Sequence, residues 1–273
     1  MVKNTRGLIY WTLNDTDKGL FHLHDAVTLS QESKIQSELA SSLNNLGLMY
    51  RQQGDHTTAL DYFQQAKTLD ESLKSRWGLG YDHRNIGISL LALERLEEAE
   101  DHFLKAEQIS ADIHNVTNWV KALLELGNTY FQIGKEREAS ASLNKLVNDY
   151  KGKSDLVNKA LLQLGLVAYN QNETDKALNY YQQVFTNAPY SKEAKDALQG
   201  IEEIYIERGE TDKYFAFLNS VPGYKVTDEA KDSLTFRTAE TQYSNGDYDR
   251  AITSYSSYIR QFPNGRSIIT AYY

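Results

Sequence analysis

Apolar residues recur at spacings of three and four along nearly the whole chain, the period of an amphipathic helix. Between residues 40 and 70 the pattern occurs twice: Leu43, Leu46 and Tyr50, then Ala59, Phe63 and Ala66, on either side of the polar turn Arg-Gln-Gln-Gly-Asp-His at 51–56. This predicts a helix A, a tight turn and an antiparallel helix B.

The same block returns along the chain. Gly7, Gly47, Gly87, Gly127 and Gly165 share one phase, at intervals of 40, 40, 40 and 38 residues. Twelve residues after each glycine stands a small residue: Gly19, Ala59, Ala99, Ala139 and Ala177. Sixteen after each stands a large apolar one: Leu23, Phe63, Phe103, Leu143 and Tyr181. The expected reason is packing, with small residues where the two helix backbones cross and large ones filling the gap to the next unit. The template continues more faintly through Glu202 and Ala239 at intervals of 37, with Tyr214 and Ala251, then Leu218 and Tyr255, at the two later offsets. The sixth unit is degenerate, with Glu and Tyr at both small positions. Turn signals fall seven residues after each phase position, at Asn14, Gly54, Glu94, Gly134, Asn172, Gly209 and Gly246. Pro189 and Pro263 follow helix B in units five and seven, where a helix must stop.

These residues resemble the tetratricopeptide repeat, or TPR, family. The resemblance implies an all-α, right-handed superhelical solenoid of about seven helix-turn-helix units, truncated at both ends, with the opening of an eighth helix A at residues 267–273. Residues 1–150 hold four units of period about 40, similar to those of kinesin light chains and bacterial peptide-sensing regulators. Residues 151–273 hold three units of period about 37, more like bacterial envelope-assembly TPR proteins. Charge shifts at the same place: 15 basic and 21 acidic groups (−6) before it, 14 and 16 (−2) after it. The expectation is one continuous solenoid, either a segment of a longer array or two TPR pieces joined near residue 150.

For function, the resemblance implies a protein-interaction scaffold that binds a peptide or protein segment in a concave groove lined by the A helices. Carried onto this chain, the groove positions are Asn44, Asn45, Arg51, Tyr81, Arg84, Asn85, Lys121, Asn128, Phe131, Lys159 and Tyr169. Asn45 and Asn85, 40 residues apart, offer one carboxamide per repeat to the backbone of an extended ligand. The competing reading has them bonding across to the neighbouring helix. Arg51, Arg84 and Lys121 favour an acidic ligand. A chaperone-type carboxylate clamp matches at only two of five positions, and Glu125 stands where that clamp needs a cation. Most tyrosines fall at helix-B packing positions, for example Tyr181 and Tyr255, whereas Tyr169, Phe236 and Tyr243 fall on the groove side. Two alternatives remain: an assembly scaffold acting through stacking and end-to-end association, and the sensor segment of a bacterial signalling protein.

Composition narrows the chemistry. Lys plus Arg is 29 and Asp plus Glu is 37, and a net charge of −8 argues against a nucleic-acid partner. The chain has no cysteine, and no apolar run approaches a membrane span; the first residues lack the features of a signal peptide. His22 and His24 point about 200° apart on a helix and cannot share a metal. His56, His83, His102 and His114 look scattered. Gly152-Lys153-Ser154 ends like a phosphate-binding loop, but Val147 stands where its first glycine belongs, so a solvated turn is expected. Glu97, Glu98, Glu100 and Asp101 read as the solvated face of a helix B. Neither an enzyme nor a cofactor nor a metal site is expected.

Overall fold

The computed structural model describes residues 2–150 and 155–273; Gly152-Lys153-Ser154 thus lies outside the described residues. Two compact units divide the chain, Met1–Gly152 and Lys153–Tyr273. The first is built from four antiparallel helix pairs: α1 (Val2–Thr12) with α2 (Thr16–Glu32), α3 (Gln36–Gln52) with α4 (His56–Ser72), α5 (Arg76–Ala92) with α6 (Leu96–Asp112), and α7 (Val116–Gln132) with α8 (Glu136–Asp149). The second holds α9 (Asp155–Asn170) with α10 (Thr174–Asn187), α11 (Lys192–Arg208) with α12 (Thr211–Ser220), α13 (Asp228–Ser244) with α14 (Tyr248–Gln261), and the short α15 (Ile268–Tyr272). Within each unit the described residues thus form antiparallel helix pairs that follow one another in chain order.

One turn design closes ten of the fifteen helices among the described residues. Residues 14, 34, 54, 74, 94, 114 and 134, spaced by twenty, all have positive φ, as do Asn172, Gly209 and Gly246. At each, the following N–H reaches back five residues to a helix carbonyl, as Asp55 N does to Tyr50 O at 3.0 Å and Ser75 N to Asp70 O at 2.9 Å. The residue making that bond also begins the next helix. Asp15, Asp55, Ser75, Asn115 and Asp247 each accept a bond from the backbone N–H three residues on. Every turn signal seen in the sequence lies at such a residue. The turns between units use the same geometry with Lys34, Lys74 and His114 in the left-handed conformation.

Packing within a pair differs from the expectation. The phase glycines are small because of a side chain, not because two backbones cross. A Cβ on Gly47 would lie 2.5 Å from the Phe63 ring, one on Gly87 2.7 Å from Phe103, one on Gly127 2.4 Å from Leu143 and one on Gly165 2.2 Å from Tyr181. The large residue at offset sixteen therefore fills the hollow over its own unit's glycine before any gap to the next unit. In the sixth pair the two non-consensus residues compensate each other: Tyr214 donates from its hydroxyl to Glu202 at 2.9 Å. In the seventh, the fully buried tyrosine is Tyr258, whereas Tyr255 remains partly exposed and donates to Glu240.

Consecutive A helices touch one another, α1 with α3, α3 with α5 and α5 with α7 in the first unit, α9 with α11 and α11 with α13 in the second. The B helices are held chiefly by the A helices on either side. Within each unit the A face is thus the more closely packed side, and it carries the candidate groove.

Candidate functional site

The candidate residues divide between the units. α3 carries Asn44, Asn45 and Arg51; α5 carries Tyr81, Arg84 and Asn85; α7 carries Lys121, Asn128 and Phe131. Lys159 and Tyr169 lie on α9 of the second unit.

In the first unit the asparagines form a ladder between A helices. Asn45 Nδ2 donates to Asn4 Oδ1 at 2.8 Å, and Asn85 Nδ2 donates to Asn44 Oδ1 at 2.9 Å. Asn85, only 1% exposed, also accepts from Arg51 Nη1 at 3.1 Å. These carboxamides thus tie α1, α3 and α5 together and orient Arg51. The repeat of 40 residues that suggested a ligand clamp is equally the repeat of an inter-helix bond.

The cations form a cluster. Burial first, then the charge of Arg84, holds Arg51 below the usual guanidinium range. Burial likewise lowers Arg84, and Lys121 is lowered by burial and by Arg84. Glu125 on α7 opposes the shift at both arginines. Arg84 lies over the Tyr81 ring, 5.7 Å from its centroid, and its Nε is buried with no hydrogen-bond partner among the described residues. Asn128 Oδ1 is buried and unpartnered in the same sense, and Phe131 is half-buried.

The second unit's candidates are separate. Lys159 is exposed, its Nζ 4.0 Å from a Glu193 carboxylate oxygen. Tyr169 donates to Glu207 at 2.5 Å, and that bond, more than burial, raises its hydroxyl to about 12. Phe236 packs on Tyr255 and Tyr258 and so faces α14, whereas Tyr243 is exposed beside Tyr248.

Sequence reasoning missed two clusters. His83 of α5 and His102 of α6 belong to one helix pair and face each other, Nδ1 to Nδ1 at 3.0 Å, so these histidines are not scattered. Burial, then the neighbouring imidazole, pushes His83 down to about 4. Among the described residues no group of three or more His, Cys, Asp and Glu could hold a metal ion. The second cluster is Asp70 of α4 against Asp82 of α5, both buried. No motif spacing marks either pair; only a helix register, aligned across two or three helices, would place them. The acidic run on α6 is a surface of ion pairs, Arg95 with Glu98, Lys105 with Asp101 and Lys135 with Glu100, as a solvated face requires.

Comparison with known proteins agrees with these helix pairs. Tetratricopeptide repeat profiles match residues 1–72 and 227–265, and the profile of the tetratricopeptide repeat protein 21 ARM repeat matches residues 46–218, more than half of the chain. The Arabidopsis thaliana protein KINESIN LIGHT CHAIN-RELATED 3 is 22% identical over 80% of this chain. The chain spans about a third of that relative's length, 35%. Among solved structures, a Pyrococcus horikoshii signal transduction ATPase with numerous domains and a tetratricopeptide repeat sensor is similar at a TM-score of 0.71, with 16% identity, over 96% of this chain and 42% of that one. The apo form of RapI is similar at 0.66, with 16% identity and 98% of each chain covered. No helix among the described residues is long and apolar enough to cross a membrane. Proteins with these repeats act in general as protein-interaction scaffolds, and their fold is typically non-enzymatic. By its profile matches and its repeated helix pairs, the chain belongs to the tetratricopeptide repeat family.

Proposed function

We propose that the first unit binds an acidic segment of a protein or peptide across its A-helix face, and that the protein works as an interaction scaffold. The observation that carries this reading is the cluster of Arg51, Arg84 and Lys121, in which the charge of Arg84 disfavours that of Arg51 and of Lys121, and Arg84 itself has a buried, unpartnered Nε. A ligand carboxylate supplies the missing acceptor and relieves the repulsion, and a guanidinium receives it in two-pronged geometry. Asn128 Oδ1 accepts a ligand N–H, and Tyr81 and Phe131 give apolar contact. Asn45 and Asn85 act by holding α1, α3 and α5 in register. In the second unit Lys159 and Tyr169 offer a ligand an exposed ammonium and a tyrosine ring on the same helix, α9.

The test is fluorescence anisotropy of labelled acidic, neutral and basic peptides against the wild type and Arg84→Gln. Acidic peptides should bind best, and Arg84→Gln should weaken them by about tenfold or more, the usual cost of a lost hydrogen bond to a charged group. Equal binding of all three peptide classes, or an unchanged affinity in Arg84→Gln, refutes the reading.

A second reading concerns self-association. Tyr243, Tyr248 and Ile252 on α13 and α14 are more than half exposed and, with Tyr255, Ile259 and Tyr273, line an apolar hollow of about 530 Å³. This face suits a second copy of the chain.

A further inference from the structure

Beside the cation cluster lies a pocket of opposite character. It has a volume of about 300 Å³, at the small end of ligand sites, and is lined by Asp70, Asp82, Trp77 and Tyr81 together with Asn44 and Asn45. We propose that this pocket binds the basic side chain of a ligand residue, a lysine ammonium or arginine guanidinium, so that the groove reads a segment carrying both charges. The inference rests on the groove reading above and extends it by a second, cation-selective subsite.

The two carboxyls are built into the frame. Asp70 stands at the end of α4 and is 9% exposed; Asp82 stands on α5 and is 1% exposed. Room for Asp70 depends on Gly78, because a Cβ there would lie 1.8 Å from Asp70 Oδ2. Ser75 accepts the Gly78 N–H at 3.2 Å and hydrogen-bonds the Asp70 carboxyl, which fixes that side chain over the start of α5. Asp82 Oδ2 is buried and has no hydrogen-bond partner among the described residues. A buried carboxyl oxygen without a partner is costly, and an incoming N–H donor removes the cost.

The protein's own charges leave this need unmet. Lys67, the cation that acts on Asp82, is bonded to Glu71 at 2.9 Å, and Glu71 itself opposes the ionisation of Asp82. Arg84 lies over the Tyr81 ring. Burial first, then the charge of Asp70 and a hydrogen bond between the two carboxyls, push Asp82 up to about 8, so at neutral pH the pair holds a proton as its counter-charge. A ligand cation would replace that proton. Trp77, 61% exposed, and Tyr81, with ring centroids 5.5 Å apart, supply an aromatic wall for the aliphatic stem and charged head of such a side chain.

The test uses the whole chain and two blocked tripeptides, acetyl-Gly-Lys-Gly-amide and its norleucine counterpart, followed by amide resonances of Gly78, Tyr81 and Asp82. The lysine peptide should give saturable shifts at these residues and the norleucine peptide should not. Asp82→Asn, which keeps the side-chain shape, should weaken the lysine peptide by about tenfold or more. Asp70→Asn provides the same measurement if Asp82→Asn alters the fold. Equal responses to the two peptides, or wild-type affinity in every folded variant, overturn the proposal. Acidic-peptide binding, lost in Arg84→Gln but kept in Asp82→Asn, separates failure of this subsite from failure of the groove.

Discussion

Gly47 and Phe63, sixteen residues apart, form a hole and its plug: the ring edge occupies the space where a side chain on residue 47 would begin. Gly47→Ala should therefore destabilise the first unit by about 1–3 kcal/mol, the usual cost of overpacking a tight core. Adding Phe63→Leu should cost less than the sum of the two single changes, because the smaller side chain vacates the contested space. Urea titration of the two singles and the double tests this; strict additivity would refute the plug.

The turn residues separate backbone cost from packing. Gly54 has φ +83°, and nothing lies within 4 Å of the point where a side-chain methyl would sit, so Gly54→Ala isolates the cost of the left-handed conformation. Destabilisation of about 1 kcal/mol is expected. Lys74 has φ +55° at the equivalent turn between units, and Lys74→Gly should raise the urea midpoint. A lowered midpoint for Lys74→Gly would show that its side chain contributes more than its backbone conformation costs.

Asp82 makes stability depend on pH in an unusual direction. Its carboxyl titrates at about 8 when folded against an ordinary 3.8, so between those values the folded state holds the extra proton. Stability from this group is full below the lower value and falls as pH rises toward the higher one. His83, lowered to about 4 from 6.5, works the other way between those values, so the comparison must be wild type against Asp82→Asn. The melting temperature of Asp82→Asn relative to wild type should climb from pH 4 to about 8 and then level off. A difference independent of pH would count against the buried pair.

The apolar face of α14 and α15 predicts concentration-dependent self-association. Ile252, 64% exposed in that hollow, is the position at which a charge disrupts contact at least cost to the fold. Ile252→Asp, or removal of residues 267–273, should keep the light-scattering mass at the monomer value across a concentration series. A wild type already monomeric throughout would remove this reading.

The framework was largely legible because each unit repeats a physical constraint. A small residue opposite a large one at fixed offsets, and a turn residue able to take positive φ, are visible in a single sequence. The turns at Lys34 and Lys74 were not, since lysine carries no left-handed signature; only their spacing from Gly54 and Glu94 does. The candidate groove positions came from the family resemblance laid on the helix-A register, and their bonding was not visible there. Whether Asn85 faces a ligand or Asn44 depends on a few ångströms between neighbouring helices. The Asp70–Asp82 and His83–His102 pairs join different helices at offsets that no template singles out, and so they emerged only in three dimensions.

The shared connection from α1 to α8, in which one residue closes a helix and the next opens its neighbour, leaves no slack between those helices. The angle between successive helices within the first unit is then set by main-chain geometry, by the glycine–plug pairs and by the Asn44–Asn85 and Asn4–Asn45 bonds. Such a frame tolerates rewriting of Arg84 and Lys121 without a change of shape, provided the asparagine bonds between the A helices are kept. Recognition can drift toward new partners while the architecture that presents it stands still.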